Sequence, residues 1–335
     1  MTPAPRPARP TKTKKRAARP PRTAPAAVEI ESIELAGGGR PHPALGIGLW
    51  ALGRWRPEDE ARTKATIGRA YERGMRWFDT AEVYGNGRSE RVLGEVLARA
   101  PGAAPDAYVV TKVSWEHLRP AQVRAALIGS LEKMARPAVD LYLIHGPDAR
   151  VPLSETMPAL EALWKEGKIR AIGVSNFSVE ELEKAARHLS EAKIAVNQLQ
   201  YNLFLRDDVL PVQDYCRSHG ILIEAYTPLA RGLLHGRYLE GAKVPREVRQ
   251  FAHRMFEPDI LPEILERARA LRDLANDSGV PLGSIALHWL RKMGAAPVIG
   301  MSRPEQVDSN LAAWAVRPPD RVLDRADRIA RGERA

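Results

Sequence analysis

A chain of 335 residues with 44% hydrophobic content can bury a large core, and its length suits one domain of about 250 residues plus extra segments. Its single cysteine, Cys216, excludes an internal disulfide and a cysteine-built zinc cluster and points to a reducing compartment. The net charge of +10 would suggest a nucleic-acid partner, but Arg6, Arg9, Lys12, Lys14, Lys15, Arg16, Arg19 and Arg22 all precede the first acid, Glu29; the body is nearly balanced and its pI is no functional clue.

Residues 1–28 are rich in Pro, Ala, Arg and Lys with almost no large apolar side chains, so burial cannot offset their ordering entropy and a disordered tail is expected, leaving 29–335 as a single domain. The tail lacks the apolar core of a signal peptide, and nothing later approaches the roughly 20 apolar residues of a membrane span, so a cytoplasmic location is expected. A weak polyanion-binding arm, a transit sequence and an inert extension compete for it; its prolines oppose an amphipathic transit helix, and the inert extension is favoured.

From Leu45 onward, short apolar runs alternate with helix-period segments, the pattern of repeated βα units around a parallel sheet. Strands are expected near residues 45–49, 76–79, 108–113, 141–145, 170–174, 195–198, 221–225 and 296–299, which makes eight and predicts a closed (β/α)8 barrel without a second domain. Pro57, Pro120 and Pro304 suit first helical positions, Ser178 to Glu181 has capping-box spacing, and Gly74 suits a helix end. The stretch from Tyr226 to Gly300 holds more than one unit's worth of chain, including an insertion over Gly232 to Asp259.

Gly46, Gly48 and Ala51 satisfy the loose G-x-G-x-x-A dinucleotide fingerprint, but bulky Trp50 and the following Trp55-Arg56-Pro57 delay any helix start, so the glycines are read as close-packing positions in the first barrel strand. The histidines form no H-E-x-x-H metal motif, and Ser175 lacks the second glycine of a nucleophile elbow. Three other runs end in polar residues suited to proton work: Trp77-Phe78 at Asp79, Tyr108 to Val110 near Lys112, and Leu141 to Ile144 at His145, with Tyr84 just past the first. As parallel strands they gather an acid, a phenol, an amine and an imidazole on one rim, a site able to protonate a carbonyl oxygen.

The strings Phe78 to Gly85, Thr111-Lys112, Leu143-Ile144-His145 and Gly173 to Phe177 resemble the signatures of the aldo-keto reductases, in order and over about Leu45 to Ala313. The resemblance implies NADP(H)-dependent reversible reduction of an aldehyde or ketone to an alcohol, with NADH a possible substitute and a small carbonyl or alcohol as substrate. It implies Tyr84 as general acid, Lys112 as the cation that acidifies it, Asp79 as the partner that holds Lys112, and His145 as a hydrogen-bond donor to the carbonyl. An ordinary tyrosine has a pKa of about 10, so poising it near 7 would require roughly 4 kcal/mol of preferential phenolate stabilisation.

For the cofactor the resemblance implies Ser175, Asn176 and Gln198 at the nicotinamide carboxamide and Tyr226 stacked on the ring. Thr227, Pro228, Leu229, Ala230 and Arg231 would follow the pyrophosphate, with Arg237 near them. Trp50 would lie beside nicotinamide and substrate, and Trp115 would help line the substrate pocket. In the last βα turn, Gly300, an N-cap hydroxyl at Ser302 and Pro304 would turn free backbone N–H groups toward a 2′-phosphate, with Arg303 beside them, which favours NADP(H) over NAD(H). Gln306 and Asn310 are adenine candidates, although Ser309 stands where relatives often carry glutamate. The short chain end resembles bacterial general oxidoreductases and the potassium-channel β-subunit branch, which leaves a cofactor-binding sensor or partner subunit as the rival reading. Oligomeric state is not legible, and nucleic-acid contact is expected at most from the tail.

Overall fold

The computed structural model describes residues 27–51, 59–241, 244 and 254–333. Eight parallel strands close into a barrel: β3 (Gly46–Gly48), β4 (Trp77–Asp79), β5 (Tyr108–Val113), β6 (Leu141–Ile144), β7 (Ile172–Ser175), β8 (Ile194–Gln200), β9 (Leu222–Tyr226) and β10 (Ala295–Gly300), with β10 pairing back onto β3. All eight expected runs become these strands, with shifts of one or two residues at their ends. Outside them lie α1 (Glu60–Glu72), α2 (Arg88–Arg99), α3 (Pro120–Met134), α4 (Leu153–Lys165), α5 (Val179–Ala186), α6 (Leu210–Ser218), α7 (Leu261–Ser278), α8 (Leu282–Lys292), α9 (Pro304–Ala315) and α10 (Asp320–Ala330).

The helix signals are largely realised. Pro120 and Pro304 open α3 and α9, where a missing N–H costs no helical bond. Ser178 and Glu181 cap α5 reciprocally, the Ser178 N–H donating to Glu181 Oε2 at 2.8 Å and the Glu181 N–H to Ser178 Oγ at 3.3 Å. Gly74, at φ 95°, follows α1 in the left-handed region that glycine tolerates. Pro57 lies outside the described residues, as do residues 1–26 of the expected tail and much of the expected Gly232 to Asp259 insertion, of which 3-10 turns at Ala230–His235 and Arg254–Phe256 are described. At the expected tail boundary, the Val28 N–H donates to Arg73 O at 3.1 Å.

Period-two alternation decides which side chains fill the barrel. On β4, Trp77 faces the interior cluster and Phe78 the outer core beneath the helices; on β5 the inner residue is Val110 and the outer Val109, and on β6 they are Leu143 and Tyr142. Continuing the same alternation puts Asp79, Lys112, Gln198 and Glu224 in one buried polar layer toward the strand ends. Glycine at 46 is required: a Cβ there would lie 2.2 Å from the Trp77 ring, so the first strand passes the indole only with no side chain at all. The dinucleotide-fingerprint glycine is therefore a packing residue.

An antiparallel hairpin, β1 (Ser32–Ile33) and β2 (His42–Pro43), closes the opposite end of the barrel. Leu35 joins the interior cluster, and Gly37 approaches β8 so closely that a Cβ would meet Ala195 Cβ at 2.6 Å. His42 sits edge-on to Trp77 and Tyr108 with ring centroids 4.3 and 4.8 Å apart. Neither this floor nor α10, whose buried face includes Val322, Leu323, Ala326 and Ile329, was expected from the sequence.

Candidate active site

The polar layer meets solvent where the strands end. Asp79 closes β4, and the next residues turn tightly: the Tyr84 N–H donates to Ala81 O at 3.0 Å, and the Thr80 N–H ties the turn to β5 through Val110 O at 2.8 Å. This turn brings Tyr84 back over Lys112, whose Nζ is 5.2 Å from the centre of the phenol ring. Lys112 Nζ donates to Asp79 Oδ1 and Oδ2 at 2.7 and 2.8 Å and to Thr80 O at 2.8 Å. His145, one residue past β6, lies edge-on to Tyr84 with centroids 5.5 Å apart, and Trp115 is 5.6 Å from the same imidazole. The four residues expected on one rim are together.

Burial would discharge Lys112, but the Asp79 carboxylate, followed by Tyr84, outweighs it and raises the amine above its ordinary value. Asp79 is raised too, by burial first, with Lys112 opposing and Glu224 reinforcing. With Lys112 and Gln198 donating to its oxygens, Asp79 is the acceptor of an ion pair rather than a hydrogen-bond donor. His145 is depressed to about 3 by burial and then by the Lys112 charge, so it is a neutral imidazole at physiological pH.

Tyr84 departs from expectation. Its phenol is raised, not poised near 7: burial dominates, the Lys112 charge lowers it, Asp79 raises it again, and Arg231 contributes a weaker lowering. The carboxylate that holds the lysine also opposes its field at the phenol. The result is a phenol kept protonated beside a cation, suited to giving up its proton when a stronger base develops next to it.

The cofactor candidates form a second group along the same rim. Ser175 Oγ donates to Gln198 O at 2.9 Å, Asn176 Nδ2 donates to Ser175 Oγ at 3.1 Å, and the Tyr226 hydroxyl donates to Asn176 Oδ1 at 3.0 Å. Burial pushes the Tyr226 phenol up to about 12, so this donor persists. Asn176 holds φ 61°, a left-handed value that asparagine tolerates, and so turns its amide back toward the rim. Beyond Tyr226 the backbone is unusual: Thr227, Ala230, Arg231 and Gly232 all have positive φ, and Thr227 Oγ1 is buried without a hydrogen-bond partner. Such strain is held only where surrounding structure demands it, and it marks the turn that begins at Thr227. The Arg231 guanidinium lies 4.4 Å over the Trp50 ring, so its side chain reaches across the mouth toward the first strand. Trp50 and Trp115 are each 44% exposed, the first beside Arg231 and the second beside His145. Arg237 is exposed, and its side chain folds over Gly232, where a Cβ would meet Cδ at 2.8 Å.

The last βα turn differs in detail from the reading of its sequence. Arg303, not Ser302, is the N-cap of α9, and the N–H groups of Ser302 and Arg303 are not free: both donate to Gln306 Oε1, at 2.7 and 3.1 Å, as does Ser302 Oγ at 3.0 Å. A glutamine at the third helical position reaches its own cap more easily than a serine hydroxyl one residue earlier can reach the helix. Asn310 Oδ1 faces His235 Nε2 at 2.8 Å, and Arg303 and Gly300 are exposed at the turn.

Two buried residues were missed. Glu224 in β9 and His42 in β2 are both fully buried, with His42 Nε2 2.8 Å from Glu224 Oε1. The signal for Glu224 was present in the sequence, since it is the one charged residue in the run Ile221 to Ala225; His42 carried none, because the hairpin was not recognised.

The chain matches the model of the aldo/keto reductase family over residues 44–331. It is 29% identical over 306 residues to aldo-keto reductase YhdN of Bacillus subtilis, covering 87% of this chain and 91% of that protein. Among solved structures it resembles the glycerol dehydrogenase AKR11B4 of Gluconobacter oxydans, with TM-score 0.79, 29% identity, and coverage of 89% of this chain and 94% of that one. It also resembles an aldo-keto reductase from Klebsiella pneumoniae solved in complex with NADPH, with TM-score 0.69, 27% identity, and coverage of 89% and 95%. With the barrel, the rim residues and the family match in agreement, the chain belongs to the aldo/keto reductase family.

Proposed function

We propose that this chain reduces an aldehyde or ketone to the alcohol with NADPH, reversibly, with Tyr84 as the general acid. The observation that carries this reading is the Lys112 ammonium held by Asp79 and lying 5.2 Å from the Tyr84 ring, with a neutral His145 edge-on to the same ring. When bound, NADPH supplies a hydride to the carbonyl carbon. As charge develops on the oxygen, the Tyr84 hydroxyl transfers its proton there, completing the alcohol, and Lys112 stabilises the phenolate left behind until solvent reprotonates it. His145, uncharged, donates a hydrogen bond that orients the carbonyl without adding a competing acid. Trp50 and Trp115 wall the pocket and exclude water.

The chain's own features fit the cofactor. Ser175, Asn176 and Gln198 offer polar groups for a carboxamide, Tyr226 offers an aromatic face, and the strained turn from Thr227 to Ala230 offers the buried Thr227 hydroxyl, which has no hydrogen-bond partner. Arg303 at the start of α9 suits a 2′-phosphate, with Gly300, Ser302, Gln306 and Asn310 around it and Arg237 further off. NADP(H) is therefore preferred over NAD(H). The K. pneumoniae relative's complex with NADPH supports the same choice. The test is NADPH oxidation by the full chain with 4-nitrobenzaldehyde or a small dicarbonyl: turnover supports the reading, and tight NADPH binding without turnover of any carbonyl would favour a cofactor sensor instead.

A further inference from the structure

Glu224 is a fully buried carboxylate in the polar layer that Asp79, Lys112 and Gln198 form above the apolar interior of the barrel. Burying a carboxylate costs several kcal/mol unless both oxygens find donors, so such a residue in a barrel core calls for a reason. Its two oxygens are divided. Oε1 lies 2.8 Å from His42 Nε2, which must donate because a carboxylate can only accept; Oε2 accepts from Gln198 Nε2 at 2.5 Å. The same Gln198 Nε2 donates to Asp79 Oδ2 at 2.8 Å. One amide nitrogen thus bridges two carboxylates on opposite sides, its strand neighbour Glu224 and the catalytic-rim Asp79.

This bridge fixes the amide's orientation. Two acceptors flank Nε2, so turning the amide over would set its carbonyl oxygen against two carboxylates. Oε1 of Gln198 takes no part in either bond and remains the group that the side chain can offer elsewhere. We infer that Glu224, itself anchored by His42 from the barrel floor, is a positioning residue that orients Gln198 so that an acceptor, and not a donor, is presented to the amide N–H of the nicotinamide carboxamide. The inference rests on the reading above, in which Gln198 meets that carboxamide.

The chain of contacts runs His42, Glu224, Gln198, Asp79, Lys112, so the hairpin that plugs the floor is mechanically tied to the catalytic ammonium. His42 is wedged edge-on between Trp77 and Tyr108, which leaves it little room to turn away.

The test is cofactor binding, followed by quenching of tryptophan fluorescence, with NADPH and with its 3-acetylpyridine analogue, which lacks the amide N–H. The full-length chain should bind NADPH roughly fivefold more tightly than the analogue, the worth of about one neutral hydrogen bond. Glu224→Met should lose that preference by weakening NADPH roughly fivefold while leaving the analogue unchanged, with KM for NADPH moving more than kcat. Glu224→Gln, whose carbonyl can still accept from Gln198 while its amide donates to His42 Nε2 once the imidazole proton moves to Nδ1, should restore the preference. Three results would overturn the inference: no preference in the unaltered chain, a preference retained in Glu224→Met, or equal weakening of both cofactors. Should Glu224→Met fail to fold, His42→Leu and His42→Gln decide instead. Loss of the preference in the first and recovery in the second, whose amide can donate to the same oxygen, support the inference; no change in the first, or equal loss in both, overturns it. Failure of the unaltered chain to bind NADPH would remove the functional reading as well, whereas normal turnover with Glu224→Met indistinguishable from wild type removes this inference alone.

Discussion

Lys112 and Asp79 meet inside the barrel through two contacts, Nζ to Oδ1 at 2.7 Å and Nζ to Oδ2 at 2.8 Å, with the lysine fully buried. Neither charge would be stable there alone, and their pairing converts two costly burials into a fixed cation beneath Tyr84.

Removing that cation has two separable effects. Lys112→Met should lower kcat/KM for reduction about 10²-fold or more, since the developing phenolate loses its stabilising charge. It should also move the alkaline limb of the pH profile. Lys112 lowers the Tyr84 phenol, so its loss raises the phenol further and the limb shifts to higher pH. A pH series of kcat/KM for the variant beside the parent checks both; a limb that stays put or moves down contradicts the assignment.

Asp79→Asn leaves a buried lysine with a neutral partner. Breaking one side of a buried pair is worth about 3–5 kcal/mol of stability. Thermal unfolding should therefore shift down by several degrees or more, together with a loss of turnover. An unchanged melting temperature would mean that the pair contributes little to the core.

His145 is depressed to about 3, below the ordinary value of about 6.5. The sign follows: its contribution to folding is fully present above about pH 6.5 and is lost as pH falls toward 3, because only the unfolded chain takes up the proton easily. Within about pH 5 to 8 the folded imidazole stays neutral, so His145→Gln should slow reduction yet leave the shape of the acid side of the profile unchanged. An acid limb near pH 6 present in the parent and absent in the variant would show that His145 titrates during catalysis.

Much of the site was legible because strand ends in this fold are where chemistry gathers, and the runs stopping at Asp79, Lys112 and His145 announce themselves as strands ending in polar residues. What stayed hidden depended on contacts between distant segments. The separation of 182 positions from His42 to Glu224 leaves no local pattern, and the competition of Gln306 with Ser302 for the start of α9 turns on side-chain reach rather than residue type. The phenol's pKa was misjudged for the same reason: a lysine beside tyrosine suggests acidification, but the burial and the Asp79 charge that reverse it emerge only from the assembled layer.

Gly46→Ala probes the barrel itself. With its Cβ at 2.2 Å from the Trp77 ring, the added methyl must displace a fully buried indole or the strand, an overpacking worth about 1–3 kcal/mol or more. The expected result is a melting temperature lowered by several degrees; a neutral outcome would mean that β3 and Trp77 are less closely apposed.

Arg303→Ala tests cofactor choice. The ratio of kcat/KM for NADPH over that for NADH should fall about tenfold, through KM rather than kcat, as a charge-assisted contact to the 2′-phosphate is lost. A ratio unchanged from the parent would assign the preference elsewhere.

The most direct measurement is Tyr84→Phe, followed by NADPH binding and carbonyl turnover on the same preparation. Phenylalanine keeps the ring that packs against His145 and Lys112 and removes only the proton donor. NADPH affinity within about twofold of the parent with turnover reduced 10²- to 10⁴-fold is the expected result; turnover within about tenfold of the parent would show that the proton comes from another group.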